Sequence, residues 1–311
     1  MTDQTSLTDI TDTRVYAPDE SDTLVDPPTS CAMEPVSTPI SGVVNRYSHE
    51  GLERLQNPPS CYFDVIASKG IFGSPLSTSE LCILDEVALK LMKQYNMPVI
   101  VQRQIGRGGM GSVYDVRIGG EQAALKIGRL RGDYVRRRFA REILIQKRSS
   151  QLIPTPEVIA HGQTNDADYG FLLMEYVPGK QFDTFLISAD PKEKIERCRD
   201  LAQHLDTLHK EHIIHQDVKP SNIRANGHTY LLDFGLARRT TESDLKPKGA
   251  ICGTPTYLAP ECVLDNATVL SDQYSLGVTG HEAVFGVTPF EGSSMSDIMR
   301  KKMRPVKVGD A

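Results

Sequence analysis

The chain has 311 residues, of which 39% are hydrophobic and 24% charged, and its formal net charge is −5, a composition typical of a globular protein with well-developed cores. It contains no run of about 18 apolar residues and lacks the basic start and apolar core of a signal peptide, so we expect a cytoplasmic protein without a membrane span. The six cysteines form no C-x-x-C pair, which disfavours a zinc site or a disulfide framework and favours reduced thiols.

The first 40 residues form an acidic segment. Residues 1–40 hold eight Asp and Glu against one Arg, a net charge of −7 that leaves +2 for the rest of the chain. They are rich in Thr, Ser and Pro and poor in aromatic residues, so they cannot bury enough apolar surface to offset the entropy of ordering. We expect this segment to be a disordered, solvated leader. An alternative is that its threonines, for example Thr23 in TLVD, are phosphorylation sites for a phosphothreonine-reading partner.

Residues 41–95 carry one strong signal, a helical pattern. In SELCILDEVALKLMKQY the apolar residues recur at helical spacing and Ser79 is a candidate cap, so we predict a helix near residues 80–95 that packs on the following domain. Its predicted apolar face consists of Leu81, Leu84, Val87, Ala88 and Leu91. The chain has no internal repeat, and no basic stripe with interleaved aromatic residues indicates nucleic-acid binding.

A glycine-rich loop begins the informative part of the chain. In VIVQRQIGRGGMGSVYDVRIGGEQAALKIG, Gly106, Gly108 and Gly111 have the G-x-G-x-x-G spacing, in which missing side chains let backbone N–H groups approach phosphate oxygens. A dinucleotide-binding loop of this spacing runs into a helix, whereas here β-rich residues and a Gly-Gly turn lead into a second strand. A strand, a glycine loop and a strand form the roof of a kinase nucleotide site, where Lys126 would bind the α- and β-phosphates.

The next segment supplies a partner for Lys126. In DYVRRRFAREILIQK, Phe139, Glu142 and Gln146 fall on one helical stripe, so Glu142 points inward with apolar residues. Desolvating a lone carboxylate costs several kcal/mol, and Lys126 is the cation expected to pair with it. We expect this pair to face a cleft shared by water and nucleotide rather than a sealed core.

A strand with a hinge and a long helix come next. FLLMEYVPGK predicts an apolar strand that ends at Pro178-Gly179, a hinge whose backbone amide and carbonyl would bond an adenine edge, with Met174 lining the pocket. KEKIERCRDLAQHLDTLHK then predicts an amphipathic core helix. The residues predicted on its buried face are Ile195, Cys198, Leu201, Ala202, Leu205 and Leu208.

HQDVKPSN, residues 215–222, and the LLDFG that follows have the most specific spacing in the chain. Asp217 would accept or orient the proton of an incoming hydroxyl, and Lys219 would offset charge on a γ-phosphate. Asn222 and Asp233 would hold Mg²⁺, which prefers hard oxygen ligands. The pattern therefore predicts phosphoryl transfer from ATP by positioning and electrostatics.

Residues 99 to about 300 resemble a Ser/Thr protein kinase domain, and the glycine loop is particularly similar to those of bacterial members. The matching stretches, in the order of the family, are GRGGMGSV, AALK, Glu142, MEYV, HQDVKPSN, DFG, GTPTYLAPE and SDQYSLGVTGHEAVFGVTPF. The resemblance implies an α+β, bilobal protein-kinase fold over residues 96–311. A small β-rich N-lobe would span about 96–174, a hinge about 175–179, and a larger, mainly helical C-lobe about 180–311.

The same resemblance implies further site residues. Thr254 would tie the substrate platform to Asp217 and Lys219, and Asp272 would anchor the catalytic-loop backbone from a buried helix. The remaining residues of the nucleotide pocket would be Val113, Ala124, Met174, Glu175 and Val177. The implied cofactors are ATP and Mg²⁺, and the implied partners are proteins that present Ser or Thr.

Four features depart from the family pattern. Gln216 replaces the arginine of the catalytic loop, Ala250 stands where many members carry an activating phosphothreonine, and Gln146 stands where the regulatory helix normally offers an apolar contact to Phe234. The family also continues after Glu261 through several more helices, one of which bears an arginine that pairs with this glutamate, so we expect truncated C-terminal helices here. The first two departures together predict an activation loop that becomes active without phosphorylation at residue 250.

Two other functions remain open. A small-molecule phosphotransferase of the aminoglycoside-kinase type shares a related H-x-D and distal Asp, but it does not need the polypeptide-docking platform that DFG and GTPTYLAPE build. A pseudokinase scaffold would keep the fold without the chemistry, yet Lys126, Glu142, Asp217, Asn222 and Asp233 are all present. Incubation with labelled ATP, Mg²⁺ and a generic protein substrate would discriminate the three.

Overall fold

A computed structural model describes residues 76–242, 252–264 and 266–303. The acidic leader, with the hypothesis of a phosphothreonine-reading partner, lies outside these residues, as does Ala250. The described residues form a sheet-rich part followed by a mainly helical part, which confirms the expected α+β kinase fold class. None of the helices within these ranges combines the length and apolar character needed to cross a membrane.

The first part is built around a five-stranded antiparallel sheet with the strand order β1-β2-β3-β5-β4. The strands are β1 (Val99–Gly108), β2 (Gly111–Ile118), β3 (Glu121–Arg129), β4 (Val158–Gln163) and β5 (Tyr169–Glu175). Because β1 and β2 pair up to Gly108 and Gly111, the glycine-rich loop is the tight end of a hairpin. The predicted Gly119-Gly120 turn joins β2 to β3, and both of its glycines have a positive φ.

Helices cover both faces of this sheet. α1 (Thr78–Tyr95) packs on one face, where its buried side chains join a cluster that includes Leu173. α2 (Gly132–Ser149) packs on the other face, where Phe139 and Ile143 contact Leu172. Leu172 and Leu173 are neighbours on β5 and therefore point to opposite faces, so the sheet is sandwiched between the two helices. The N-terminal helix is thus part of the core of this lobe.

α1 begins slightly before the predicted helix, and its N-cap is Ser77 rather than the predicted Ser79. The Ser77 Oγ accepts a hydrogen bond from the backbone N–H of Glu80 at 3.3 Å, and the Glu80 carboxylate accepts one from the Ser77 N–H at 2.9 Å. This reciprocal capping box requires the Glu three residues after the cap. The position of Glu80 therefore selects Ser77 over Ser79.

The second part is mainly helical. Its helices are α3 (Phe182–Ser188), α4 (Pro191–Lys210), α5 (Val269–Phe285) and α6 (Met295–Lys302), and 3-10 turns occur at Pro220–Asn222 and Pro260–Leu264. The short strands are β6 (Lys180–Gln181), β7 (Ile213–Ile214), β8 (Ile223–Asn226), β9 (His228–Leu231) and β10 (Arg238–Arg239). α4 packs on α5 and β9, and this core positions the loops between β7 and β8 and after β9.

The predicted buried face of α4 is only partly correct. Leu201, Leu205 and Leu208 are buried, but Ile195 and Ala202 are exposed. At about 3.6 residues per turn, the three buried leucines form a narrow stripe, and Ile195 and Ala202 lie roughly 100° from its centre. The sequence pattern merged two neighbouring stripes of the helix into one face.

Candidate active site

The ammonium group of Lys126 on β3 connects three elements of the fold. Its Nζ lies 2.5 Å from Oε1 of Glu142 on α2 and 2.9 Å from Oδ1 of Asp233, which follows β9. The expected Lys126–Glu142 ion pair is present, and Asp233 joins it. The pair is more deeply buried than we expected, because Lys126 is 5% and Glu142 3% exposed. The expectation that the pair is not sealed in a core is therefore not met for Lys126 and Glu142 themselves, and Asp233 is the exposed member of the cluster.

These charges control the ionisation of one another. Burial by itself favours the neutral amine, but the carboxylates of Asp233 and Glu142 raise the pKa of Lys126 above its ordinary value. Although the side chain of Asp233 is 39% exposed, the protein around its carboxylate partly desolvates it, which opposes ionisation. The charge of Lys126 outweighs this effect and lowers the pKa of Asp233 to about 2. Asp233 is therefore ionised at neutral pH.

A second cluster surrounds Asp217 in the loop between β7 and β8. Lys219 Nζ lies 2.8 Å from Asp217 Oδ2, and Asn222 Nδ2 donates hydrogen bonds of 2.9 Å to Oδ2 and to the main-chain oxygen of Asp217. Thr254 comes from a distant segment, and its Oγ1 lies 2.8 Å from Lys219 Nζ and 3.4 Å from Asp217 Oδ1. The structure thus brings Thr254 to both residues that the resemblance implied.

The backbone of this loop is held by a fully buried carboxylate on α5. Asp272 accepts hydrogen bonds from the backbone N–H groups of His215 and Gln216, each at 2.8 Å, and His209 Nε2 lies 2.9 Å from it. This is the anchoring role expected of Asp272. Gln216 has a φ of +66°, a left-handed conformation that is strained for a residue other than glycine, and the anchoring bonds help to maintain it.

The DFG segment is fixed by contacts on two sides. The Phe234 ring is fully buried and packs edge-on against the imidazole of His215, with ring centroids 4.9 Å apart. On the other side, Arg138 Nε of α2 donates a hydrogen bond of 2.8 Å to the carbonyl of Gly235. Asp233, directly before Phe234, has a φ of +62°. The carboxylate of Asp233 is therefore positioned by both α2 and the catalytic loop.

Gln146 is buried on α2 at the position where the family normally has an apolar side chain, and its amide nitrogen donates two hydrogen bonds. Its Nε2 donates hydrogen bonds to Thr155 Oγ1 at 3.1 Å and to the carbonyl of Pro156 at 2.6 Å. These bonds connect α2 to the segment that precedes β4. Since both N–H groups of the amide find acceptors, the polar replacement is accommodated without an unpaired donor.

The three glycines of the glycine-rich loop differ in whether the structure leaves room for a side chain. Gly111 has a φ of +130°, and a side chain there would overlap the carbonyl of Ile127. A Cβ at Gly106 would make an ordinary contact with Val113, and one at Gly108 would meet nothing within 4 Å. Packing of the described residues therefore requires glycine at 111 but leaves open space at Gly108.

The remaining residues predicted for the nucleotide pocket lie close together. Val113 pairs with Lys126 across β2 and β3, and Ala124 pairs with Met174 across β3 and β5. Directly paired residues, and residues two apart on one strand, project from the same face of a sheet. These four side chains therefore share the face that bears Lys126. Glu175 ends β5 and Val177 follows it, in the hinge segment before β6.

Asn222 and Asp233 each keep one oxygen atom for a cation. Asn222 uses its nitrogen for both bonds to Asp217, and Asp233 uses Oδ1 for Lys126 and for the N–H of Gly235. Asn222 Oδ1 and Asp233 Oδ2 accept no hydrogen bond from the described residues. They are the hard oxygen ligands that Mg²⁺ prefers, and two protein ligands suffice for an ion that also binds phosphates and water. The residues present fit Mg²⁺.

Two contacts of the site were missed by sequence reasoning. The first is the hydrogen bond from Arg138 to the carbonyl of Gly235. Arg138 precedes Glu142 by four residues and so lies on the same helical face, a signal that could have predicted this bond. The second is the ion pair between Glu80 on α1 and Arg107 in the glycine loop, which no local pattern indicates.

Known proteins resemble this chain over the same region. A family model described as a protein kinase domain matches residues 99–309. The probable serine/threonine-protein kinase pknA2 of Bifidobacterium longum is 33% identical over 208 residues, and the serine/threonine-protein kinase PknL of Mycobacterium tuberculosis is 33% identical over 216 residues. These alignments cover 62% and 66% of this chain but 27% and 53% of the two relatives. The chain thus spans about half or less of the length of these relatives.

Proposed function

Since this chain belongs to the protein kinase family, we propose that it is a serine/threonine kinase that transfers the γ-phosphoryl group of ATP to hydroxyl groups of proteins, with Mg²⁺ as cofactor. The observation that carries the proposal is the simultaneous presence of two assembled clusters. One joins Lys126 to Glu142 and Asp233, and the other joins Asp217 to Lys219 and Thr254.

The first cluster and the sheet face around it would bind ATP. Lys126 would bind the α- and β-phosphates, while the open space at Gly108 would let backbone N–H groups approach phosphate oxygens. The apolar side chains of Val113, Ala124 and Met174 on the same sheet face would contact the base, and the hinge backbone at residues 175–177 would bond its edge. Mg²⁺, when bound by Asn222 and Asp233, would neutralise charge on the phosphates.

The second cluster would act on the acceptor hydroxyl. Asp217 would orient the hydroxyl and accept its proton, because Asn222 and Lys219 hold its carboxylate in one place. Lys219 would also offset charge on the γ-phosphate. The Lys219–Thr254 contact joins this chemistry to the segment that would dock the substrate polypeptide. The lysine and threonine at these positions, like the names of the relatives, support Ser and Thr over Tyr as acceptors.

We further propose that the site needs no phosphate at residue 250. The Lys126–Glu142 pair, the buried Phe234 and the contacts of Thr254 join residues other than 250. In kinases with an arginine at position 216, a phosphothreonine neutralises that charge. Gln216 is neutral, so residue 216 contributes no positive charge that a phosphate would neutralise.

The test is phosphoryl transfer from labelled ATP to an unstructured protein rich in Ser and Thr, with Mg²⁺ or with EDTA. We expect Mg²⁺-dependent label on Ser and Thr, and a rate of labelling lower by roughly 10²-fold or more with the Asp217→Asn variant. Absence of transfer with retained ATP binding would support the scaffold alternative. Label on an aminoglycoside but not on protein would support the small-molecule phosphotransferase.

A further inference from the structure

Lys302, the last residue of α6, carries a buried ammonium group that binds a single stretch of backbone. The side chain is 7% exposed, and its Nζ donates hydrogen bonds to the carbonyls of Pro255, Thr256 and Leu258 at 2.8, 2.8 and 2.7 Å. An ammonium group has three donors, so all of them converge on residues 255–258. The ring of Tyr274 on α5 lies 5.2 Å from the same nitrogen and adds a cation–π contact.

The other carbonyls of this stretch have partners too. The carbonyl of Thr254 accepts hydrogen bonds from the N–H groups of Tyr257 and Leu258, each at 3.0 Å, and the carbonyl of Tyr257 accepts one from Ser275 Oγ at 2.8 Å. Residues 254–258 therefore have all five carbonyls paired, three of them by Lys302. Backbone acceptors withdrawn from water need such partners, so the conformation of the stretch depends strongly on this one side chain.

The stretch begins at a residue of the candidate active site. Thr254 Oγ1 contacts both Lys219 Nζ and Asp217 Oδ1. Three residues after the stretch, Glu261 Oε1 accepts a hydrogen bond of 2.7 Å from Ser271 Oγ on α5. α5 thus holds the segment through two serines, and α6 holds it through Lys302. A shift of residues 255–258 would move Thr254 relative to Asp217.

We propose that Lys302 is a positioning residue for the protein substrate: it fixes residues 254–258 from α6, so that Thr254 keeps the docking segment in register with Asp217 and Lys219. The inference rests on the proposed kinase function. Lys302 touches no reacting atom in this scheme and lies apart from the Lys126 cluster. Its loss should therefore affect the use of protein substrate and spare the binding of ATP.

The test compares Lys302→Met with Lys301→Met in the full chain. Methionine keeps the length and apolar body of lysine but has no donor, and Lys301 is the neighbouring lysine on α6 with 45% of its side chain exposed. Rates would be measured with varied peptide substrate, with varied ATP, and as ATP hydrolysis without peptide. For Lys302→Met we expect KM for peptide to rise about tenfold, with KM for ATP and hydrolysis within about twofold of the unmodified chain. Lys301→Met should behave like the unmodified chain.

Four results would overturn the inference. An unchanged KM for peptide in Lys302→Met would show that the carbonyl contacts do not position the substrate. A loss of ATP hydrolysis as large as the loss of peptide phosphorylation in the same variant would show a general structural role. If the unmodified chain transfers no phosphoryl group, the proposed function fails and the inference fails with it. Should thermal unfolding show that Lys302→Met is unfolded, Lys302→Gln would be measured instead. Its two N–H donors can satisfy at most two of the three carbonyls, so we expect a smaller rise in KM for peptide, and an unchanged KM would overturn the inference.

Discussion

The carboxylate of Asp272 accepts a hydrogen bond of 2.8 Å from the backbone N–H of Gln216, whose φ is +66°. The catalytic loop is therefore held through its main chain from a buried helix, whatever side chain residue 216 bears. That side chain is half-buried and borders a small cavity beside Arg138 and Cys252. Gln216 therefore differs from the arginine of the family in its charge, while the backbone of the loop is held by Asp272.

The first prediction is that activity does not depend on phosphorylation of the activation loop. The protein would be expressed with a phosphatase, residues 236–258 would be shown by mass spectrometry to be unmodified, and initial rates would be measured with and without prior incubation with ATP. We expect equal rates, because Gln216 lacks the positive charge that a phosphate neutralises in kinases with an arginine at this position.

Either of two outcomes would contradict this prediction: a lag that disappears on preincubation, or a rise of more than about tenfold, which corresponds to about 1.4 kcal/mol. Thr240 and Thr241 are exposed and lie soon after DFG, so label on them without a change in rate is compatible with it.

The second prediction concerns the two carboxylates assigned to the chemistry. Asp217→Asn and Asp233→Asn should each lower kcat by roughly 10²-fold or more, about 2.7 kcal/mol or more of transition-state stabilisation. Only Asp233→Asn should also weaken the dependence of the rate on Mg²⁺ concentration, because Asp233 offers an oxygen ligand whereas Asp217 binds Lys219 and Asn222. Unchanged turnover in both variants would remove the catalytic assignment.

The third prediction is that Lys126→Met loses stability as well as phosphoryl transfer. Without the ammonium, the carboxylate of Glu142 stays buried without its counter-ion, which costs about 3–5 kcal/mol when one partner of a buried pair is removed. Burial already raises the pKa of Glu142, and loss of Lys126 raises it further. Thermal unfolding at several pH values measures the effect.

The sign of the pH dependence follows from this raised pKa. Between the ordinary pKa of glutamate and the raised value in the folded variant, the folded state binds more protons than the unfolded state. The relative stability of Lys126→Met should therefore improve as pH falls through the raised pKa. The double variant Lys126→Met/Glu142→Gln removes the carboxylate and should lose this pH dependence. A single variant as stable as the unmodified chain at pH 8 would contradict the prediction.

The fourth prediction is that α1 contributes to the stability of the N-lobe. Leu91 is fully buried between α1 and the sheet, so Leu91→Ala should lower the free energy of unfolding by about 2–5 kcal/mol. Leu89 lies on the exposed side of the same helix, and Leu89→Ala should change it by less than about 0.5 kcal/mol. Denaturant unfolding compares the two variants. Equal effects would mean that α1 does not pack on the sheet in solution.

The sequence by itself identified the candidate site residues and the elements that carry them. Asp217, Lys219 and Asn222 lie within six consecutive residues, and Asp233 follows in a short motif, so their spacing identifies them before any tertiary contact is known. The inward position of Glu142 followed from helical periodicity, and its pairing with Lys126 followed from the cost of burying a lone carboxylate. These inferences rest on short-range geometry or on the cost of burial, which hold in any tertiary context.

Only the tertiary structure decided the features that depend on which distant segments meet. Gln146 is satisfied by Thr155 and Pro156, and the ammonium of Lys302 by the carbonyls near Thr254. The periodicity of the sequence could predict neither set of hydrogen bonds, because each joins a donor on one element to backbone or side-chain acceptors on another. The burial of the Lys126–Glu142 pair also depended on how α2 closes against the sheet. Local spacing specifies which groups are available, and long-range packing specifies which of them are withdrawn from water and must find partners.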